Sequence, residues 1–400
     1  MTRHSPTMIR AAVAAALLLA TSAQAAVIGQ MTPAPPLTRE RLADIPAGER
    51  AAWSSYLDRS EAARRLNAAE TTNGPPPTSG DAAASMPLSK PARWYATPEA
   101  RHIADVIVSF QSPAGGWGKN APRTAVRQPG QPFSAEKDYV GTLDNDATVT
   151  ELRFLARVIT AGGEAPYRDS FVRGVRWLLA AQYPNGGWPQ VWPLVGGYHD
   201  AVTFNDDAMV AALSLLGDIA KGQGDYAFAA PALRADAEAA WRRGLAALLK
   251  SQVVRDGRPT GWPQQADAVT LAPVGARNFE PAALASAESA GILAYLITAF
   301  PTPPPEVAHA IGGGVTWLRG AAIADKAWRA PAPGEARRLV DQPGAAPLWA
   351  RYYDLATGRP IFGDRDRTIH DDVHDLSAER RNGYAWFTTA PAKVLKAYGR

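Results

Sequence analysis

Two short acidic turns carry the residue types best suited to chemistry in this chain. One is GTLDNDATVTEL, Gly141 to Leu152, with Asp144, Asn145 and Asp146 directly ahead of an apolar run. The other is TFNDDAMVAAL, Thr203 to Leu213, with Asn205, Asp206 and Asp207 in the same setting. Carboxylate and amide oxygens are what a hard divalent cation such as Ca²⁺ takes, roughly six to eight at a time. With Asp144 and Asp206 at equivalent points of a repeat, the clusters would form two halves of one cation site. Each cluster also reads as a helix cap, since Asp and Asn accept from the free N–H groups of a first helical turn. The pattern leaves both readings open. A third use is the acid and base of an inverting glycoside hydrolase on an α/α toroid, which needs two carboxylates several ångströms apart.

Basic residues surround these turns. Lys119 and Asn120 follow a Gly-Trp turn, Arg277 lies in APVGARNFE, Arg351 in PLWARYYD, and Arg359, Arg365 and Arg367 in TGRPIFGDRDRTI. Arginine keeps its charge and meets a carboxylate with two parallel hydrogen bonds. Several arginines beside aromatics therefore suit a polyuronate. Asp354, Asp364 and Asp366 could neutralise the same arginines, so surface pairing is the competing reading. Of the six histidines, His370 and His374 are four apart, but DDVHDLSAERR reads as a polar helix start rather than a zinc site. Cysteine is absent, which excludes thiolate metal sites and cysteine nucleophiles. No G-x-S-x-G, P-loop or G-x-G-x-x-G motif occurs.

The elements that must position these residues repeat. Helical segments end in SFQSPAGGWGKN (Ser109 to Asn120), then YPNGGWPQ (Tyr183 to Gln190), then VVRDGRPTGWPQ (Val253 to Gln264). Trp117, Trp188 and Trp262 are spaced 71 and 74 residues apart. Each unit is a helix ending in Gln, a Gly-rich turn with Trp, a loop, and a second apolar helix. The second helices are predicted over Thr148 to Ile159, Asp207 to Ile219 and Ser286 to Ala299, with a partial fourth echo at Gly314 to Ile323. Units that cannot bury an apolar face alone must stack, and three closing on themselves give an all-α, (α/α)₃ toroid with long loops. No alternating strands are evident. Glycine frees the backbone at a helix end and Trp plugs the space between helices; Trp117 could instead stack on a sugar.

The ends of the chain set the compartment. Arg3 and Arg10, the apolar run Ala11 to Ala20 and Ala23-Gln24-Ala25 read as a secretory signal peptide over residues 1–25, cleaved after Ala25. Export to the periplasm or medium follows, with no membrane span afterwards. Residues 26–91 read as an N-terminal extension ending in a Pro/Ala-rich linker, and 92–400 as the catalytic domain. The formal charge of +4 falls to +2 without Arg3 and Arg10, which gives no basis for nucleic-acid binding. A monomer is expected.

TLDNDATVTEL, YHDAVTFNDDAMV, APVGARNFEPAALASAESAGI and LWARYYDLATGRPIFGDRDR…ERRNGYAWF together resemble the polysaccharide lyase family 10 pectate lyases. The likeness spans most of Trp94 to Arg400. It implies an (α/α)₃ toroid that cleaves polygalacturonate by β-elimination, with Ca²⁺ bridging protein and substrate. By motif it places Asp144 and Asp206 at the calcium, and Lys119, Asn145, Arg277 and Arg351 on the substrate. Arg365, in F-x-x-R-D, becomes the base, made neutral more easily by crowded cations. Two departures stand out: Asp146, where the family more often has glycine, and Arg367, in place of a small residue. Q-x-x-x-G-x-W also occurs in triterpene cyclases, whose cavities are apolar, unlike these charged loops.

Overall fold

The computed structural model describes residues 26–70, 72–78, 85–137 and 139–399; the expected signal peptide lies outside them. The α-helices run, in order, α1 (Ala47–Ala69), α2 (Pro98–Ser109), α3 (Val149–Thr160), α4 (Ala165–Ala181), α5 (Ala208–Lys221), α6 (Pro231–Lys250), α7 (Ser286–Ala299), α8 (Pro305–Gly320), α9 (Ala378–Gly383) and α10 (Ala390–Tyr398). The three apolar helices predicted from the repeat are α3, α5 and α7. They form an inner row, α3 against α5 and α5 against α7. The polar-faced helices α2, α4 and α6 form an outer row, with α8 packed on α7. Proline in the first turn starts α2, α4, α6 and α8, where the missing N–H costs nothing.

The Gln-Gly-Trp turns are the joints between units. Gln111 Nε2 donates to Gly115 O within its own turn (2.8 Å) and to Ser170 O on the next outer helix (2.9 Å). Gln182 repeats this with Gly186 O and Ala240 O, and Gln252 with Thr260 O and Ala310 O. Each Trp then donates its indole N–H back to the helix before it: Trp117 to Ile107 O, Trp188 to Leu178 O, Trp262 to Leu248 O. All three rings are fully buried, so Trp117 joins its partners in the core and does not face a sugar. The rings fit because the next outer helix carries glycine opposite them. A Cβ on Gly174 would meet Trp117 at 2.6 Å, and one on Gly244 would meet Trp188 at 2.6 Å. Trp349, whose Nε1 donates to Leu318 O, repeats the plug against α8.

The all-α expectation needs correction. Among the described residues helix makes up 46% and strand 12%. A six-stranded antiparallel sheet runs in the order Gly29–Gln30, Thr368–His370, Pro360–Gly363, Tyr352–Tyr353, Leu284–Ala285, Trp262–Pro263. Its strands are two to four residues long. That is too short for a period-two pattern to register in sequence. The sheet sits at the N-terminal end of α7: Ser286 N donates to Arg351 O, and Ser286 Oγ to Ala350 O.

The N-terminal extension docks on this body. Trp53 and Tyr56 of α1 are fully buried against Tyr183, with Tyr56 OH donating to Ala181 O. Arg41 pairs with Asp267 at 2.7 Å. Gly29–Gln30 forms the edge strand beside Thr368–Ile369, and Met31 N donates to Arg367 O. No helix among the described residues is long and apolar enough to cross a membrane.

Candidate active site

Both acidic turns are single 3₁₀ turns leading into an inner helix, and their backbones show how they correspond. Asp144–Asp146 and Asn205–Asp207 are the two turns. Leu143 and Phe204 match before them, each at φ near −100°. Asn145 and Asp206 share φ of 52° and 51°, and Asp146 and Asp207 share 60° and 57°. Asp144 therefore corresponds to Asn205, and Asp206 to Asn145. The sequence equivalence of Asp144 with Asp206 was one residue out, because DND and NDD align equally well by composition. Capping is not their job either: no side-chain cap bond forms at either turn or at the start of α3 or α5. Left-handed φ at Asn and Asp costs less than at other side chains, which explains these residue types in consecutive strained positions.

With the turns set side by side, the carboxylates meet. The Asp144 and Asp206 carboxyls act on each other across the two turns. Burial and the Asp144 charge push the Asp206 carboxyl up to about 6, against the pull of Arg351. Asp207 is also pushed to about 6, by burial, Asp146 and Glu288. Lys119 Nζ sits 3.0 Å from Asp144 Oδ2 and 3.7 Å from Glu136 Oε1. Burial alone would lower the Lys119 pKa, but Asp144 more than reverses this and raises it. Asn205 joins the two sides: its Nδ2 donates to Asp206 Oδ2 (2.6 Å), and its Oδ1 accepts from Arg351 (3.2 Å). Arg351 also pairs with buried Glu288 at 2.9 Å and lies over the Tyr384 ring.

The line continues through Tyr384. Its hydroxyl contacts Tyr352 and donates to Glu280 Oε1 at 2.7 Å. Glu280 holds Arg277 through Nε at 2.8 Å. Arg277, Arg365 and Arg380 all pack against Phe279. Arg365 is bound at both its Nε and NH2 by Glu379, at 3.0 Å each, and remains largely exposed. The structure thus brings Lys119, Asp144, Asp206 and Arg351 to one place, with Asn145 in the same turn as Asp144 and with Arg277 and Arg365 further along. Arg367 turns away to Asn278, at φ 72°. His370 is buried between Thr368 Oγ1 and Ala26 O, and His374 meets Asp372.

One electrostatic expectation is reversed. Crowded cations were expected to favour neutral Arg365, but each arginine has its own glutamate. The hydrogen bonds and charge of Glu379 raise the Arg365 pKa. Glu280 does the same for Arg277, and Glu288, outweighing burial, for Arg351. The glutamates Glu136, Glu280, Glu288 and Glu379 were not singled out in sequence, since a lone Glu is indistinguishable from a surface residue. Glu280 and Glu288 do fall within the motif RNFEPAALASAES.

The acidic half has the donor types of a divalent-cation site: Asp206 feels the charges of Asp144 and Glu288, Asp207 those of Asp146 and Glu288, and Glu288 Oε2 is buried with no hydrogen-bond partner. Among the described residues no group of three acidic or histidine side chains could hold a metal on its own. Asp144 and Asp206 would therefore be completed by oxygens from outside the protein.

A family model described as pectic acid lyase matches residues 111–395. The solved family 10 polysaccharide lyase from Cellvibrio cellulosa is similar at 33% identity and TM-score 0.68, over 77% of this chain and 93% of that one. A mutant of that lyase in complex with trigalacturonic acid is similar at 31% identity and TM-score 0.67, over 80% and 98%. No curated protein matches. A helix-rich body with this charged cluster and these relatives is thus a polysaccharide lyase. The chain belongs to the pectic acid lyase family, the one its four motifs resemble.

Proposed function

We propose that the protein cleaves de-esterified polygalacturonate by calcium-assisted β-elimination, on an incomplete (α/α)₃ toroid whose inner helices point their N-termini at the groove. The observation that supports this is two contacts in neighbouring turns, Lys119 with Asp144 and Asp206 through Asn205 with Arg351. Two metal-type carboxylates there lie beside two cations. Asp144 and Asp206 would hold calcium. When bound, it neutralises a galacturonate carboxylate and makes the adjacent C5 hydrogen more acidic. Lys119 and Arg351 would fix that carboxylate, with Asn145 and Arg277 contacting the chain on either side. Arg365 would remove the C5 proton; that electron pair forms the C4–C5 double bond. The C4–oxygen bond breaks, and the departing oxygen takes its electron pair and a proton. The trigalacturonate complex of the relative supports this substrate.

Asp144 and Asp206 act on each other strongly enough to raise the Asp206 pKa, which favours a shared cation over the separated acid and base of the hydrolase reading. The charged groove argues equally against an apolar cyclase cavity. Export rests on the first 25 residues; the recovered extracellular protein should begin at Ala26, and a mass that includes residues 1–25 would refute it.

The test is one assay: protein and polygalacturonate, with calcium or a chelator, followed in the near ultraviolet. An unsaturated product should absorb only with calcium, and its rate should rise toward alkaline pH, since Glu379 holds the Arg365 proton more tightly than usual. No absorbance sinks the lyase reading, and a maximum at acid pH removes Arg365 as base. If Arg365→Ala keeps turnover while Arg367→Ala loses it, the base is Arg367.

A further inference from the structure

The strands Lys326–Arg329 and Arg338–Asp341 form an antiparallel hairpin whose two ends are charged differently. At the open end Lys326 faces Asp341 across the strands, and the two form an ion pair. At the turn end Arg329 faces Arg338. Like charges directly opposite each other on a sheet repel. Both arginines are exposed, and neither pairs with a carboxylate among the described residues. Of the acids beside the hairpin, Asp341 holds Lys326, Asp325 accepts from Gly344 N, and Asp372 holds His374. The other face of the hairpin is occupied: Trp328 packs on Phe387 with ring centroids 5.0 Å apart, and Leu339 lies against the core. Alternation along a strand sends Arg329 and Arg338 to the opposite face. Arg337 N donates to Asn382 Oδ1 (2.9 Å) and Leu339 N to His374 Nε2 (3.2 Å), which fixes the hairpin beside α9. Arg337, and Arg381 in α9, are likewise without a carboxylate partner among the described residues. Because α9 also carries Glu379, the partner of Arg365, the hairpin stands at the Arg365 end of the line of cations.

We propose that this hairpin is an accessory binding arm for an anionic polysaccharide, in which Arg329 and Arg338 grip uronate carboxylates of the same polymer that occupies the active site. This rests on the substrate reading above and extends it to a surface outside the reacting residues. Each sugar of a polyuronate carries one carboxylate, and an anion between the two arginines turns their repulsion into two attractions. Arg337 and Arg381 add positive charge on the side of α9. Each contact is weak at an exposed surface. A polymer already held at the active site meets the arm at a high effective concentration, so weak contacts add up. Oligomers too short to span both places gain nothing from it. The arm takes no part in proton removal, and Arg365 keeps its role as base. Neutral and fully esterified chains lack the charge that the arm reads.

The test uses the whole protein. The double variant Arg329→Gln/Arg338→Gln is compared with Arg242→Gln/Lys250→Gln, which removes two exposed charges from α6. In the absorbance assay the hairpin variant should raise KM for polygalacturonate about tenfold, as the loss of two exposed charge contacts would, with kcat unchanged. Its KM should also depend less steeply on salt. Arg329→Lys/Arg338→Lys keeps the charge and should restore most of the loss. KM for trigalacturonate should stay at the wild-type level, and the α6 variant should match the wild type on both substrates. An unchanged polymer KM in the Gln variant overturns the inference. So does an equal rise for trigalacturonate, or an equal rise in the α6 variant. Polymer binding in chelator, by electrophoresis in gels with and without polygalacturonate, separates this proposal from the lyase reading. A wild type that the polymer retards more than the hairpin variant, but that forms no unsaturated product, fails the lyase reading and leaves the arm standing.

Discussion

Asn205 is where the acidic and basic halves of the groove meet. It touches Asp206 on one side and Arg351, 146 residues away, on the other. Asn205→Ala should loosen both, raising KM and the calcium needed for half-maximal rate by roughly tenfold, from losing bonds to charged groups. Kinetics at varied calcium would show it; a variant indistinguishable from wild type would mean that the bridge is incidental. Asp144, Asp206, Lys119 and Arg351 were legible in sequence because metal-type and carboxylate-binding residues recurred in motifs. Asn205 was seen only as a cluster member, and its pairing with Arg351 depends on a fold that no local pattern encodes. Asp146 now has a neighbour, Asp207, in the twin position of the other turn.

At the scale of elements, the helices were legible and the strands were not. The predicted Ser286 to Ala299 is α7 itself, and the other inner helices differ by a residue or two at their ends. Their apolar faces and terminal prolines are local signals. The strands gain their pairing from chain segments far apart, so two residues suffice once the helices have placed them. The glycines of the outer helices separate into two kinds. Gly244→Ala puts a methyl 2.6 Å from the Trp188 ring and should destabilise by about 1–3 kcal/mol, as overpacking does. Gly312→Ala in α8 meets nothing within 4 Å and should stabilise by roughly 0.5–1 kcal/mol through helix propensity. Thermal unfolding of the two variants should shift in opposite directions. Equal shifts would show that the Trp–Gly fit does not control the joint.

Across the whole molecule, the extension and the body form one structure tied at Asp267. Burial alone would raise its pKa, but the Thr270 N–H and Arg41 bring it below the usual value. A carboxyl with a depressed folded pKa contributes stability above its unfolded pKa of about 3.9, and loses it as pH falls through the folded value. Cleavage within residues 26–69 by an acid-active protease should therefore increase below about pH 4. Asp267→Asn should admit cleavage at higher pH. Protection that ignores both acid and this substitution would place the anchor elsewhere. Composition alone suggested an appendage here, because a polar helix reveals neither its buried Trp53 nor the sheet edge its leading strand completes.

The Trp–Gly joints also carry a consequence for synthesis. Each indole belongs to one unit, but the glycine that receives it lies in the next. As the chain emerges, Trp117 has no seat until α4 exists, and Trp188 none until α6. No joint can close before the unit that follows it is present, so a chain cut between α4 and α6 should bury its first indole and leave its second in water.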